Sequence, residues 1–435
     1  MKKRILLLTL LLPALLLTAC GSQSPAEQPE PEQTEIAEPE EDETPDSDQA
    51  SENQPVNESG YVSVSHSINA LGYDMFSQLK QSGSENICIS PYSIETALGM
   101  AANGAVDTTL EEMLHVMQVS DMDTFNQDIT ASMDKLEADA MDIRIANSAW
   151  YAEDMNFSDS FEASYLPLLK DSYDADCFEE NLSDPSTIQS MNDWISEATN
   201  EKINNMVDEV SPDACLLLFN AVYFNAKWAV PFPTEGTFDE EFYGTDGTRT
   251  IPFMHMSDRY FKYYEYKGIR TLRMYYKDSD MAMDILIPAR EDDDVTQLFN
   301  DLSFEEKQEL YQGLSDAEEI MIGSLKLPRF EFSSDSIQLN KYLADLGMVR
   351  AFSNDAQLDI ISEEAYISDI FHKTYIRVDE NGTEAAAVTE VMMERMSLLA
   401  EEPVSFEVDM PFMYYISDTS DGTILFIGSM NHIDE

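Results

Sequence analysis

Five histidines are the side chains best suited to proton transfer near neutral pH: His66, His115, His255, His372 and His432. None stands in an HExxH pair, and the chain has no GxSxG elbow, GxGxxG turn or phosphate loop. Glu291-Asp292-Asp293-Asp294 could attract a cation, but it lacks the alternating oxygen ligands and the glycine of a calcium loop. It reads as a solvated loop. Cys88, Cys177 and Cys215 are widely spaced and form no CxxC pair, which favours free buried thiols over disulfides, zinc or redox chemistry. With 84 acidic residues, carboxylate pairs are too common for any one to mark an acid–base couple. The sequence thus offers no catalytic constellation, metal site or cofactor motif, although hydrolysis by residues far apart in sequence stays open.

One segment has chemistry of another kind. After Gly382, one parity holds Thr383, Ala385, Ala387, Thr389, Val391 and Met393, all small or apolar. The other holds Glu384, Ala386, Val388, Glu390, Met392 and Glu394, and so carries every acid. That is a period-two strand with one face to bury and one to keep wet. Small residues lead on the buried face, as suits a strand that slides between neighbours already in place. Gly382 supplies a pivot. An ordinary edge strand, or a helix over 384–394, fits the same residues, since Ala, Glu and Met favour helices.

The chain around this segment is 435 residues long and carries 25 basic residues, for a net charge of −59. Such a balance opposes binding to nucleic acid or to an acidic lipid surface by charge. With 43% hydrophobic residues it can bury a substantial core. Lys2, Lys3 and Arg4 precede an apolar run over 5–17, which has the order of a secretory signal and is short for a membrane span. The run ends in Leu17-Thr18-Ala19-Cys20-Gly21, which resembles a bacterial lipobox. The resemblance implies removal of 1–19 and acylation of Cys20, with anchoring by more than one acyl chain. An ordinary signal peptide with an incidental Cys20 is the alternative. Residues 20–60 hold many acids, several prolines and no Lys or Arg, so they read as an extended acidic tether. From residue 61 the composition is globular to 435, with no second tether and no internal repeat, so one domain is expected there.

Helical spacing predicts helices over 93–117, broken near Gly104, and over 184–207, with Asp184 as N-cap and Pro185 in the first turn. Strand signals fall at 215–224, 282–287, 320–327, 375–378, 406–408, 412–416 and 424–427. Helices first and mixed strands later predict an α+β fold with large, mostly antiparallel sheets.

Glu380-Asn381-Gly382-Thr383-Glu384-Ala385-Ala386-Ala387-Val388-Thr389 resembles the hinge of inhibitory serpins. Other blocks agree in family order: Asn86-Ile87-Cys88-Ile89-Ser90-Pro91-Tyr92-Ser93-Ile94, Asn192-Asp193-Trp194-Ile195, and Asn220-Ala221-Val222-Tyr223-Phe224 with Trp228 and Phe232. Leu327-Pro328-Arg329-Phe330 and Phe406-Glu407-Val408-Asp409-Met410-Pro411-Phe412 follow. Asn200-Glu201 departs from the family, where a glycine is usual. The resemblance spans nearly all of 61–435 and implies helices packed on three β-sheets with an exposed reactive-centre loop.

It also implies a function. A target serine protease cuts the loop, the hinge enters the main sheet as a new strand, and the protease stays trapped as an acyl-enzyme. Counting from Gly382 puts the reactive bond at Met396-Ser397, which suits proteases with apolar specificity pockets; a register one residue shorter gives Arg395-Met396 and a trypsin-like target. Ser90, Ser93, Asn220 and His372 correspond to the family's shutter and Trp228 to its breach. The chain is expected to act as a monomer without cofactor, at the outer face of the cell envelope. Residues 121–142 are acidic where some relatives bind sulfated polysaccharide, so no heparin-like activator is expected. A non-inhibitory binding module and an inhibitor of papain-like cysteine proteases are the alternatives.

Overall fold

A computed structural model describes residues 63–81, 86–138, 142–211, 214–383 and 403–434. The strand Leu216–Lys227 organises one side of the molecule. Its sequence, LLLFNAVYFNAK, is apolar almost throughout because both of its faces are covered. Leu216, Leu218, Val222 and Phe224 join the main core, whereas Leu217 and Phe219 pack with Trp150, Met191, Ile195 and Met206 in a smaller core. Burying each such side chain contributes roughly 1.5–3 kcal/mol. The smaller core is roofed by the helix Pro185–Ala198 and the segment 199–207 that follows it.

Eight strands form the sheet around Leu216–Lys227. One edge of that strand pairs antiparallel with Asp142–Ala152, which in turn pairs parallel with Asp176–Glu180. The other edge has two short partners. Leu216 to Phe219 pair parallel with the strand Ile367–His372, and Ala226 and Lys227 pair antiparallel with Gly382–Thr383. The outer side of Gly382–Thr383 pairs with Tyr375–Asp379, itself antiparallel to Phe330–Ser333.

Ten further strands make a second hydrogen-bonded network, with Phe412–Asp418 and Ile424–Met430 deep inside it. The strand Glu319–Pro328 links its two parts. Its first residues pair with Arg259–Tyr266 and its last with Gly247–Met256. The change of partner falls beside Gly323, where a Cβ would lie 2.6 Å from the Pro403 side chain. Val404–Glu407 lies parallel to this strand, with a register shift between Ile322 and Ser324.

The α+β expectation holds, and three expectations of detail do not. The helix predicted over 184–207 begins as read, with Asp184 accepting from the Ser186 amide and Pro185 following, but it ends at Ala198. Asn200 and Glu201 adopt left-handed φ of 53° and 62°, which stops the helix. The Asn192 side chain then holds Val207 through both backbone groups, at 2.7 and 3.0 Å. Cys177 is half-buried, while Cys88 and Cys215 are buried, and all three thiols are free. Strands also occur where no signal was read: Asp142–Ala152, among the early helices, and four between Thr237 and Tyr275. The acidic run at 291–294 is a capped turn. Asp293 pairs with Arg290, and Asp294 accepts from Thr296 and Gln297 to start the helix Val295–Asn300.

Candidate functional site at a parted sheet

Six residues of the central strand, 220–225, have no ladder partner on the edge facing residues 372–377, among the described residues. The two lips of this gap remain in phase. Phe371 faces Phe219 directly below it, and Val378 faces Ala226 across Thr383 above it. A slot of unpaired rungs therefore runs down the middle of the sheet, one strand wide where Gly382–Thr383 sit and closed at the Phe219–Phe371 rung.

Gly382 and Thr383 close the upper end. A Cβ on Gly382 would fall 2.0 Å from the Ala226 carbonyl oxygen, so only glycine fits there. The Thr383 side chain is buried, and its hydroxyl shares a hydrogen bond with the Tyr276 hydroxyl at 2.7 Å. The Tyr276 ring stacks on Trp228 at 4.7 Å. Trp228 grips the approach to the slot twice. Its indole N–H donates to the Asp379 carbonyl at 3.0 Å, and its amide donates to the Asn381 carbonyl at 2.8 Å.

Glu380 is the charged anchor of this end. It is 3% exposed. Burial alone would raise its pKa, but Arg329 and the Thr237 hydroxyl hold the carboxylate below its usual range. Arg329 Nε donates to Glu380 Oε2 at 2.9 Å, and its Nη2 pairs with Oε1. The Phe232 amide donates to the Glu380 carbonyl at 2.9 Å.

The lower end is a polar cluster under the fork where the lips meet. Ser90 caps the helix Pro91–Ala102 by accepting from the Ser93 amide, and the Ser90 amide donates to His372 Nε2 at 3.0 Å. Ser93 Oγ donates to the Asn220 carbonyl at 3.3 Å, and the Asn220 amide donates to Asn147 Oδ1. Burial pushes the His372 pKa down to about 4, so the ring is neutral at physiological pH. Thr374 joins through Ser334 and the Cys88 carbonyl.

The structure thus brings together Ser90, Ser93, Asn220 and His372 at one end of the slot, and Trp228, Glu380, Gly382 and Thr383 at the other. Glu384, Ala385, Ala386, Ala387, Val388 and Thr389 lie outside the described residues, as do Arg395, Met396, Ser397 and Cys20. Sequence reasoning missed Asn147, Thr237, Tyr276, Ser334 and Thr374. Only contact across the fold distinguishes these from ordinary core polar residues.

The central sheet thus has Gly382–Thr383 seated between its two lips at one end and a run of unpaired rungs below them, among the described residues. The fold and its sequence can be compared with known proteins. Residues 66–433 match the family model Serpin (serine protease inhibitor). An uncharacterized serpin-like protein of Thermococcus kodakarensis is 32% identical over 84% of this chain and 85% of its own. The leukocyte elastase inhibitor of Xenopus laevis is 31% identical over 82% of this chain and 96% of its own. The thermophilic serpin tengpin in its native state aligns with a TM-score of 0.74 at 26% identity, covering 87% of this chain and 96% of tengpin. Human thyroxine-binding globulin complexed with its hormone has a TM-score of 0.75, covering 86% of this chain and 99% of its own. At 23% identity that likeness shows the fold alone. The chain belongs to the serpin family and has its fold. Members of this family are typically protease inhibitors rather than enzymes.

Proposed function

We propose that this chain is a suicide-substrate inhibitor of serine proteases. One observation carries the reading: the segment ending at Thr383 is seated at the mouth of a slot whose lips are in register with it. Extending the ladders sets residues 384–389 against 225–220 on one side and 377–372 on the other. Thr383 faces inward, so Ala385, Ala387 and Thr389 would face inward too. All are small.

The protease serine Oγ attacks the Met396 carbonyl, or Arg395 in the shorter register. The ester forms, the amide to the next residue breaks, and the new amino terminus takes a proton and departs. Insertion of the hinge then drags the acyl-enzyme along and distorts it before water can cleave the ester. Ser90, Ser93, Asn220 and His372 act as the shutter that must part, and Trp228 lies at the breach where entry begins.

A stable covalent adduct with chymotrypsin, pancreatic elastase or subtilisin, or with trypsin if Arg395 is read, is the expected result of a protease panel. Thr383→Arg would bury an unpaired charge beside Tyr276, at a cost of several kcal/mol. It is expected to turn the inhibitor into a substrate, seen as cleavage without adduct; an adduct at the parent stoichiometry would sink the insertion reading.

Residues 1–19 are proposed as a removed signal, Cys20 as the lipidated residue and 20–60 as a tether displaying the 61–435 domain outside the cell. The supports are the lipobox-like sequence and the run of acids and prolines. Cys20→Ser is expected to shift the protein from the membrane fraction to the medium.

A further inference from the structure

A cavity of about 270 Å³ lies behind the lip that carries residues 372–377, on the side turned away from the gap. Most of its wall is the chain from Phe332 to Ile337, which crosses from the end of Phe330–Ser333 to the short strand Ile337–Gln338. Ile87 and Cys88 face it from the strand Ile87–Ile89, at the edge of the ten-stranded network. Leu79 closes one side from the helix Val64–Gln81.

Three of these residues hold the lip directly. Ile337 stands opposite His372 in an antiparallel ladder, on the edge of Ile367–His372 that Leu216–Lys227 does not occupy. Ser334 is bonded to Thr374 twice. Its amide donates to the Thr374 carbonyl at 3.0 Å, and its hydroxyl accepts from the Thr374 amide at 2.9 Å. The Thr374 hydroxyl in turn donates to the Cys88 carbonyl at 2.8 Å. An occupant of the cavity would therefore pack against the groups that fix residues 372–374.

The walls specify what fits. The cavity has the volume of about nine waters, each taking about 30 Å³ in the liquid, and stands near the lower end of the range for small-ligand pockets. Leu79, Ile87, Phe332 and Ile337 offer apolar surface for a flat or branched body. Asp335 is exposed at the mouth, and its carboxylate has no ion pair among the described residues. No lysine or arginine lines the cavity, and the chain carries a net charge of −59. Such a field draws in cations, and a carboxylate beside an apolar wall suits an ammonium carried on a short hydrocarbon body.

We infer that this cavity is a binding site for a small amphipathic amine. The ammonium pairs with Asp335, the body fills the space between Leu79, Ile87, Phe332 and Ile337, and the occupied cavity braces the lip at Thr374. Neither part requires that the gap ever take a strand.

The test uses phenethylamine as the probe on the full-length chain, with phenylacetate as a similar body of opposite charge. Asp335→Asn and Asp335→Glu are compared with the parent; the residue is exposed, so all three should fold alike. In the parent and in Asp335→Glu, phenethylamine should move the Ile337 amide resonance saturably and raise the melting temperature by a few degrees. It should also slow exchange of the Thr374 amide severalfold. Asp335→Asn should weaken binding by about tenfold or more, and phenylacetate should leave Ile337 unmoved. No saturable shift in the parent at millimolar amine would overturn the site. Equal affinity in Asp335→Asn, or an equal shift with phenylacetate, would overturn the choice of an amine. Saturation with no slowing at Thr374 would overturn the brace.

Discussion

His372 couples the slot to pH. The unfolded chain takes up a proton at this side chain near pH 6.5, whereas the folded chain does so only near 4. Its contribution is therefore present above pH 6.5 and is lost as pH falls toward 4, by about 3 kcal/mol over the interval. His372→Gln is expected to flatten that part of the stability curve, measured as thermal midpoints between pH 7 and 4.5. Glu95 works in the opposite direction. It lies fully buried in the helix Pro91–Ala102, neither carboxyl oxygen makes a hydrogen bond of good geometry among the described residues, and burial, opposed weakly by the nearby Ser67 hydroxyl, pushes its pKa well above the usual range. An acid whose folded pKa is raised stabilises best below its unfolded value and loses that contribution as pH climbs. Glu95→Met should raise the melting temperature at pH 7, by about 1–3 kcal/mol of stability, with an advantage that narrows toward pH 4.5. A lower melting temperature at pH 7 would show that the carboxyl has a partner worth keeping. Ser90, Ser93, Asn220 and His372 could be picked out from sequence because they stand in blocks resembling a known family. Glu95 could not, since a glutamate at helical spacing looks like any solvated helical residue until its neighbours are known.

At the scale of elements, legibility follows covering. Strands buried on both faces, such as Leu216–Lys227 and Met281–Pro288, are nearly continuous apolar runs and were readable. The strands between Thr237 and Tyr275 mix Tyr, Thr, Arg and acids, because each is only partly covered, and their pattern fades. The turns were the better signal: Lys267-Gly268, with φ of 48° and 85°, is a two-residue hairpin loop, and Thr245-Asp246 ahead of Gly247 is another. The early end of the helix Pro185–Ala198 was visible in retrospect as Asn200-Glu201 in place of a glycine. Left-handed φ at Glu201 carries a backbone cost that glycine lacks. Glu201→Gly should stabilise the roof over the smaller core by roughly 0.5–1 kcal/mol. Slower amide exchange through 199–207 would register this, and unchanged exchange would count against it.

For the molecule as a whole, the parted sheet is a state with pairing still to be made. Filling it adds ladder hydrogen bonds along both lips at once. Clipping the loop should therefore raise the melting temperature markedly, as read by calorimetry on the same preparation before and after cleavage; an unchanged midpoint would mean that the gap does not fill. The alternation after Gly382 fits a strand that could be inserted, an edge strand or a helix, and nothing in it gives the extent of the unpaired rungs. That extent depends on which rungs between 216–227 and 367–379 are formed, and no local pattern encodes that. A practical consequence follows from where the carboxy-terminal strands lie. Phe412–Asp418 and Ile424–Met430 are interior members of the ten-stranded network, and Val404–Glu407 is stitched to Glu319–Pro328. A chain severed near Met396 therefore sheds nothing: both pieces travel together through gel filtration at the original size, and the nick becomes visible only after denaturation.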